Sequence, residues 1–136
     1  MKTLRPMFAV ALALITAPAV AGSSQPQPVT INTDTRSAAG DMLTARTSDN
    51  PFEYIGCGVR TFVDGGTTLR TGFCQAGVSE TQTVQCFTED PALVETMAAG
   101  NDFSFVIFRW DTNNECIAIG FSTQSFYLSD PKAIKK

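Results

Sequence analysis

Cys57-Gly-Val-Arg-Thr-Phe-Val63, Asp64-Gly65-Gly66 and Thr68-Leu-Arg-Thr-Gly-Phe-Cys-Gln75 lie close together near the middle of a 136-residue chain, and their spacing decides the fold. Two runs rich in aromatic and β-branched residues flank a glycine pair. Glycine reaches positive φ without Cβ strain, so the stretch reads as a β-hairpin. Centred between Gly65 and Gly66, it sets Phe62 opposite Leu69 and Cys57 opposite Cys74. The polar turn Gly77-Val-Ser-Glu-Thr81 leads into a third strand over 82–88. Centred on Glu80, that second hairpin sets Phe73 opposite Phe87 and Cys74 opposite Cys86. Directly opposed residues share a face. Three cysteines therefore form a row on one side, with Phe62, Leu69, Phe73 and Phe87 on the other. A one-residue slip would destroy both patterns together.

Downstream, Asp90 is placed to cap a helix and Pro91 suits its first position. Leu93, Val94, Met97 and Ala98 make one apolar stripe before Gly100, so a helix is expected over 91–99. Phe103–Trp110 and Cys116–Ser122 then read as a hairpin around Asp111-Thr-Asn-Asn-Glu115. A tip at Thr112-Asn113 sets Phe108 opposite Ile117 and Val106 opposite Ile119, with Trp110 and Phe121 on the same side. Phe103, Phe105 and Ile107 fall on the reverse. A strand apolar on both sides is usually covered twice, here by the helix and by the N-terminal arm or a partner. The order β-β-β-α-β-β lacks regular strand–helix alternation. It predicts an α+β fold, a small antiparallel sheet of about five strands with one helix packed on it, stapled by disulfides.

Upstream, Gly22–Asn50 is rich in Ser, Thr, Gln, Pro and small residues and has no aromatic side chain. It reads as a flexible polar arm over 22–50. A short helix around Ser37–Arg46 is suggested by Ala38, Met42 and Ala45, against Gly40 in its middle. Composition changes at Pro51-Phe52, so a single domain is expected over 51–131, followed by a basic tail at 132–136 with Lys132, Lys135 and Lys136. At the other end, residues 1–21 have a basic start (Lys2, Arg5), an apolar middle and a small-x-small finish at Ala19-Val20-Ala21. That pattern is a signal peptide, with cleavage expected between Ala21 and Gly22. Its apolar run falls short of the about 20 residues that span a bilayer. The expected location is periplasmic or secreted, with no membrane insertion after signal cleavage.

Cys57, Cys74, Cys86 and Cys116 are an even set, which in an oxidising compartment fits two disulfides. Cys74 can bond only one neighbour. The consistent pairings are Cys57–Cys74 with Cys86–Cys116, which is preferred, or Cys74–Cys86 with Cys57–Cys116. A domain this small has a marginal core, and such staples each contribute roughly 3–4 kcal/mol in the chain-entropy model. Without Lys2 and Arg5 the chain carries 8 basic and 13 acidic residues, a formal charge of −5. Acidic balance without a basic stripe argues against nucleic acid and anionic lipid as partners.

No histidine occurs anywhere in the chain. That excludes Ser-His-Asp and Cys-His catalysis and His-ligated zinc. The cysteines form no C-x-x-C pair, so no metal site and no cofactor are expected. Asp111-Thr-Asn113-Asn-Glu115 alternates oxygen ligands as a calcium loop does. An EF-hand, however, needs glycine at its sixth position and glutamate at its twelfth, where this chain has Cys116 and Ser122. A polar turn is the better reading. Carboxylate-pair catalysis needs one acid in an apolar setting, whereas Glu80, Glu89, Asp90, Asp111 and Glu115 all fall in turns or at a helix cap. No catalytic residue is assigned. The candidate binding surface is Glu80, Arg109, Trp110, Asp111 and Glu115, with Trp110 serving either as a sugar or peptide platform or, the favoured alternative, as core.

Cys74…Cys86-x-Thr88, the capped helix and Phe108-Arg-Trp-Asp111…Cys116 together resemble a group of small exported bacterial proteins, over Leu69 to Lys132. The resemblance implies an exported bacterial domain whose role is not established, and it carries over no catalytic residue. The resulting expectation is an exported binding domain, an inhibitor or recognition module for a protein or an envelope component. It would act through a rigid sheet edge or the turns at 77–81 and 111–115, since preorganisation lowers the ordering cost of association. The alternatives are an acid-pair glycan hydrolase and a secreted toxin-like effector.

Overall fold

A computed structural model describes residues 23–128. The expected signal peptide at 1–21 and basic tail at 132–136 lie outside the described residues. Along the chain come β1 (Thr30–Asn32), β2 (Ser37–Asp41), α1 (Met42–Thr47), β3 (Tyr54–Asp64) and β4 (Thr67–Gly77). They are followed by β5 (Thr83–Thr88), α2 (Pro91–Ala98), β6 (Phe105–Trp110), β7 (Cys116–Ser122) and a 3-10 turn at Ser125–Tyr127. The strands form two antiparallel sheets, ordered β3-β4-β5 and β1-β2-β6-β7.

The three-stranded sheet follows the turn chemistry. Gly65 and Gly66 sit at φ 53° and 84°, the twist that a two-residue hairpin needs and that a Cβ would oppose. Phe62 pairs with Leu69 and Cys57 with Cys74, while Phe73 pairs with Phe87 and Cys74 with Cys86. The cysteine row faces the core together with Ile55 and Ala76. The opposite face looks to solvent, leaving Phe62, Leu69 and Phe87 exposed. There Arg60 lies over the Phe73 ring, 4.8 Å from its centroid.

The fold is α+β, but the expected single five-strand sheet is corrected to seven strands in two sheets. The cause lies in 22–50, read as a flexible arm. β2 pairs along its whole length with β6, from Ser37 opposite Arg109 to Asp41 opposite Phe105, and β1 pairs with β2. The stretch ahead of them is also tied in. The Asp41 amide donates to the Gln27 carbonyl at 2.8 Å, and the Asp41 carboxylate accepts from the Gln27 amide at 2.6 Å. The helix suggested at 37–46 is half strand. α1 begins only after Asp41, whose carboxylate caps it by accepting the Thr44 amide at 2.7 Å.

The last hairpin is shifted by two residues from expectation. Phe108 faces Ile119 and Val106 faces Phe121, with a bulge between Arg109 and Trp110. A bulge adds one residue to one strand, and the broad 111–115 turn displaces the rest. A shift of two keeps the face, so Val106, Phe108 and Trp110 remain inward. The reverse side of β6 is not fully covered, for Ile107 is 42% exposed.

Inward residues of both sheets join one buried cluster, with Val106, Phe108 and Cys116 from one and Ile55, Cys74 and Cys86 from the other. α2 packs against β3 and β4 of one sheet and β7 of the other, burying Val94 and Met97. Its N-terminus is capped as expected, Asp90 accepting the amides of Ala92 at 2.9 Å and Leu93 at 3.1 Å. The disulfides are Cys57–Cys74 within one sheet and Cys86–Cys116 between the two.

Candidate binding groove

Three local structures converge on one concavity. Asp41 ends β2 and starts α1, which puts Met42, Ala45 and Arg46 on its wall. The entry to β3 supplies Glu53, Tyr54 and Ile55. The turn before β6 adds Asp102 and Phe103. Together they line a groove of about 310 Å³. Its surface is largely apolar, with Arg46, Glu53 and Asp102 as the charged members.

Glu53 holds the groove together. One carboxylate oxygen accepts the Val29 amide at 2.8 Å and the other accepts the Ser48 hydroxyl at 2.6 Å. Both oxygens are thus engaged in joining the N-terminal segment to the loop after α1. Asn50 extends the clasp by donating to the Val78 carbonyl at 2.8 Å. Phe103 lines the groove in an unusual state. Its φ is +59°, in the left-handed region that bulky residues avoid, yet the residue is 43% exposed. Left-handed geometry costs a non-glycine residue roughly 1–2 kcal/mol. Deep burial of the ring does not offset that cost here, and strain of this kind clusters at functional surfaces.

The sequence-derived surface does not come together as one site. Trp110 is 8% exposed and packs on Phe108 with ring centroids 5.8 Å apart, so it belongs to the core. Strand alternation then turns Arg109 outward, away from it, and a shared platform of Arg109, Trp110 and Asp111 is corrected. Glu80 is exposed in the turn before β5, whereas Phe87 at the far end of β5 bridges to Glu115. Glu80 and Glu115 therefore flank opposite ends of that strand. Asp111 spends its carboxylate on its own turn, accepting the amides of Asn113 at 2.8 Å and Glu115 at 2.9 Å. These bonds, chiefly the one from Glu115, hold its carboxyl below the ordinary aspartate range, with a smaller contribution from the charge of Arg36.

The Sγ atoms of Cys74, Cys86 and Cys116 lie within 4.8 Å of one another. A metal site needs thiolates, and all of these sulfurs are in disulfides. Sequence reading missed the groove because its members span Met42 to Phe103 and follow no common period. The one local signal is Asp41 ahead of Met42, an N-cap residue inside the stretch that reads as a flexible polar arm.

Compared with known proteins, the chain matches no family model, no curated protein and no solved structure. No helix among the described residues is long and apolar enough to cross a membrane. The two disulfides fit an oxidising compartment.

Proposed function

We propose that this protein is a periplasmic or secreted recognition module that binds an apolar side chain of a protein or envelope partner in the groove between α1, β3 and the turn at Phe103. The observation that carries the reading is Phe103 itself, held in left-handed geometry while it lines the groove and stays exposed. Glycine would satisfy that backbone without strain. A phenylalanine there serves contact rather than folding. The Glu53 clasp and the Asp41 cap of α1 keep the groove walls preformed, so a ligand meets little ordering cost.

Phe103→Gly is the decisive substitution. It relieves left-handed strain and removes only a half-exposed ring, so the melting temperature should stay within a few degrees of the parent or rise. Capture of a partner from the extracytoplasmic fraction of the producing cells, saturable with the parent protein, should be lost in the variant. A parent protein that captures nothing saturably, or a variant that captures equally well, overturns the reading.

A further inference from the structure

We infer that β3 is the seam of a symmetric dimer, in which two copies of this chain pair their β3 strands antiparallel about Phe62. This inference goes beyond the groove and does not depend on it.

β3 is the terminal strand of its sheet, and β4 covers only one of its edges. Which backbone groups face the open edge follows from two observations. A two-residue hairpin closes with Asp64 and Thr67 as a hydrogen-bonded pair, so Phe62 and Arg60 also bond to β4 while Val63 and Thr61 do not. The Cys57–Cys74 pair, on the same alternation as Thr61 and Val63, has a Cα–Cα distance of 4.0 Å, as in a pair without mutual bonds. The N–H and C=O groups of Thr61 and Val63 therefore point outward. Among the described residues no loop or side chain hydrogen bonds to them. All residues from Arg60 to Arg70 are exposed, Phe62 at 55% and Val63 at 72%.

The occupant of this edge is a second copy because the strand is self-complementary. Antiparallel pairing about Phe62 sets Phe62 against its own counterpart. It sets Arg60 against Asp64 of the second copy, and Asp64 against Arg60 of that copy. Thr61 and Val63 become the hydrogen-bonded pairs in both directions, using the outward groups that β4 leaves free. Arg60, Phe62 and Asp64 fall in the alternate, closer pairs, where cross-strand side chains interact best. Parity also matches, so the solvent faces of both sheets run on into one six-stranded sheet. Moving the centre to Arg60 would oppose two arginines. Edge charges ordinarily block strand addition. Here the two signs are placed symmetrically about Phe62, so this register turns both charges into attractions.

Sedimentation tests it. The full chain is expressed, the form that the cell accumulates is purified, and its mass is followed with concentration at low salt. A reversible dimer is expected. Arg60→Asp and Asp64→Arg each oppose like charges at two symmetric positions and should weaken it by about tenfold. The double variant R60D/D64R should restore the parent affinity, an effect that no misfolded single variant can mimic. Thr61→Pro removes an outward N–H that β4 does not use, and should abolish the dimer while β3–β4 pairing and melting persist. A monomer at all concentrations up to about 1 mM, a dimer indifferent to these changes, or a double variant no tighter than the singles would each overturn the inference. So would assembly that requires a different protein.

Discussion

Asp111 shows how one side chain shapes a turn. Its carboxylate collects the Glu115 and Asn113 amides, and the chain then turns through Asn114 at φ 60°. The same bonds favour the charged form and lower the pKa on folding. A depressed folded pKa contributes stability that is present above the unfolded value and lost as pH falls through the folded one. Asp111→Asn should therefore be less stable than the parent at neutral pH. The gap should close progressively below about pH 4, where an unperturbed aspartate takes up its proton. Thermal melts of both proteins from neutral to strongly acid buffer check it, and a gap that stays constant or widens in acid is the contrary result. Neighbouring residues show the limit of local reading. Alternation says that Arg109 and Trp110 point to opposite faces, and the core face is the one that packs, through Val106, Phe108 and Trp110, against Ile55, Cys74 and Cys86 of the other sheet.

At the scale of the element, β2 is the strand that sequence reading lost. Its residues are small, and Ala38 is fully buried. Gly40 lets the Val29 backbone approach closely, since a Cβ there would come within 2.9 Å of the Val29 Cα, a backbone atom rather than a flexible side-chain end. Gly56 in β3 is the contrast, with nothing within 4 Å of the equivalent position. Gly40→Ala should cost about 1–3 kcal/mol by overpacking. Gly56→Ala should be neutral or stabilise by roughly 0.5–1 kcal/mol, because glycine within a strand loses more freedom on folding. Urea unfolding of the two variants separates them, and equal stabilities would contradict a packed N-terminal segment. β3, β4, β5 and α2 were legible because each is set by chemistry within a few residues: a glycine pair, a polar turn, an Asp-Pro start. β2 has no such signal. Its partner β6 lies far along the chain, and its burial comes from closeness of backbones rather than from large apolar side chains. The groove shares that origin, since α1 hangs from β2.

The whole molecule is two sheets held over a small core, and the two disulfides tie it differently. Cys57–Cys74 closes a separation of 17 residues inside a hairpin already zipped by backbone pairing. Cys86–Cys116 spans 30 residues and joins β5 to β7 across the two sheets. Chain entropy alone makes them similar, roughly 3–4 kcal/mol each. Their placement separates them, because a hairpin restrains its own ends in the absence of the bond. Replacing Cys86 and Cys116 together by alanine should lower the melting temperature more than replacing Cys57 and Cys74 together. The reverse order, or melting unaffected by reductant, would show that sulfur bridges do not hold the sheets together.

By itself the sequence determined the registers of β3, β4 and β5, the row of three cysteines and the capped α2, since turn geometry and capping act over a few residues and tolerate no slip. The cysteine row also narrowed the disulfides to two sets and favoured the one that forms, and tertiary packing settled that Cys74 bonds to Cys57 while Cys86 reaches Cys116. The Phe87 amide meets the Asn114 carbonyl at 3.1 Å, which brings the start of β7 against β5 and leaves Cys86 a partner of its own. The same long-range packing ordered the N-terminal segment, split the strands between two sheets and formed the groove. Those outcomes depend on contacts between residues far apart in the chain, whose free energy is gained only once every strand is in place.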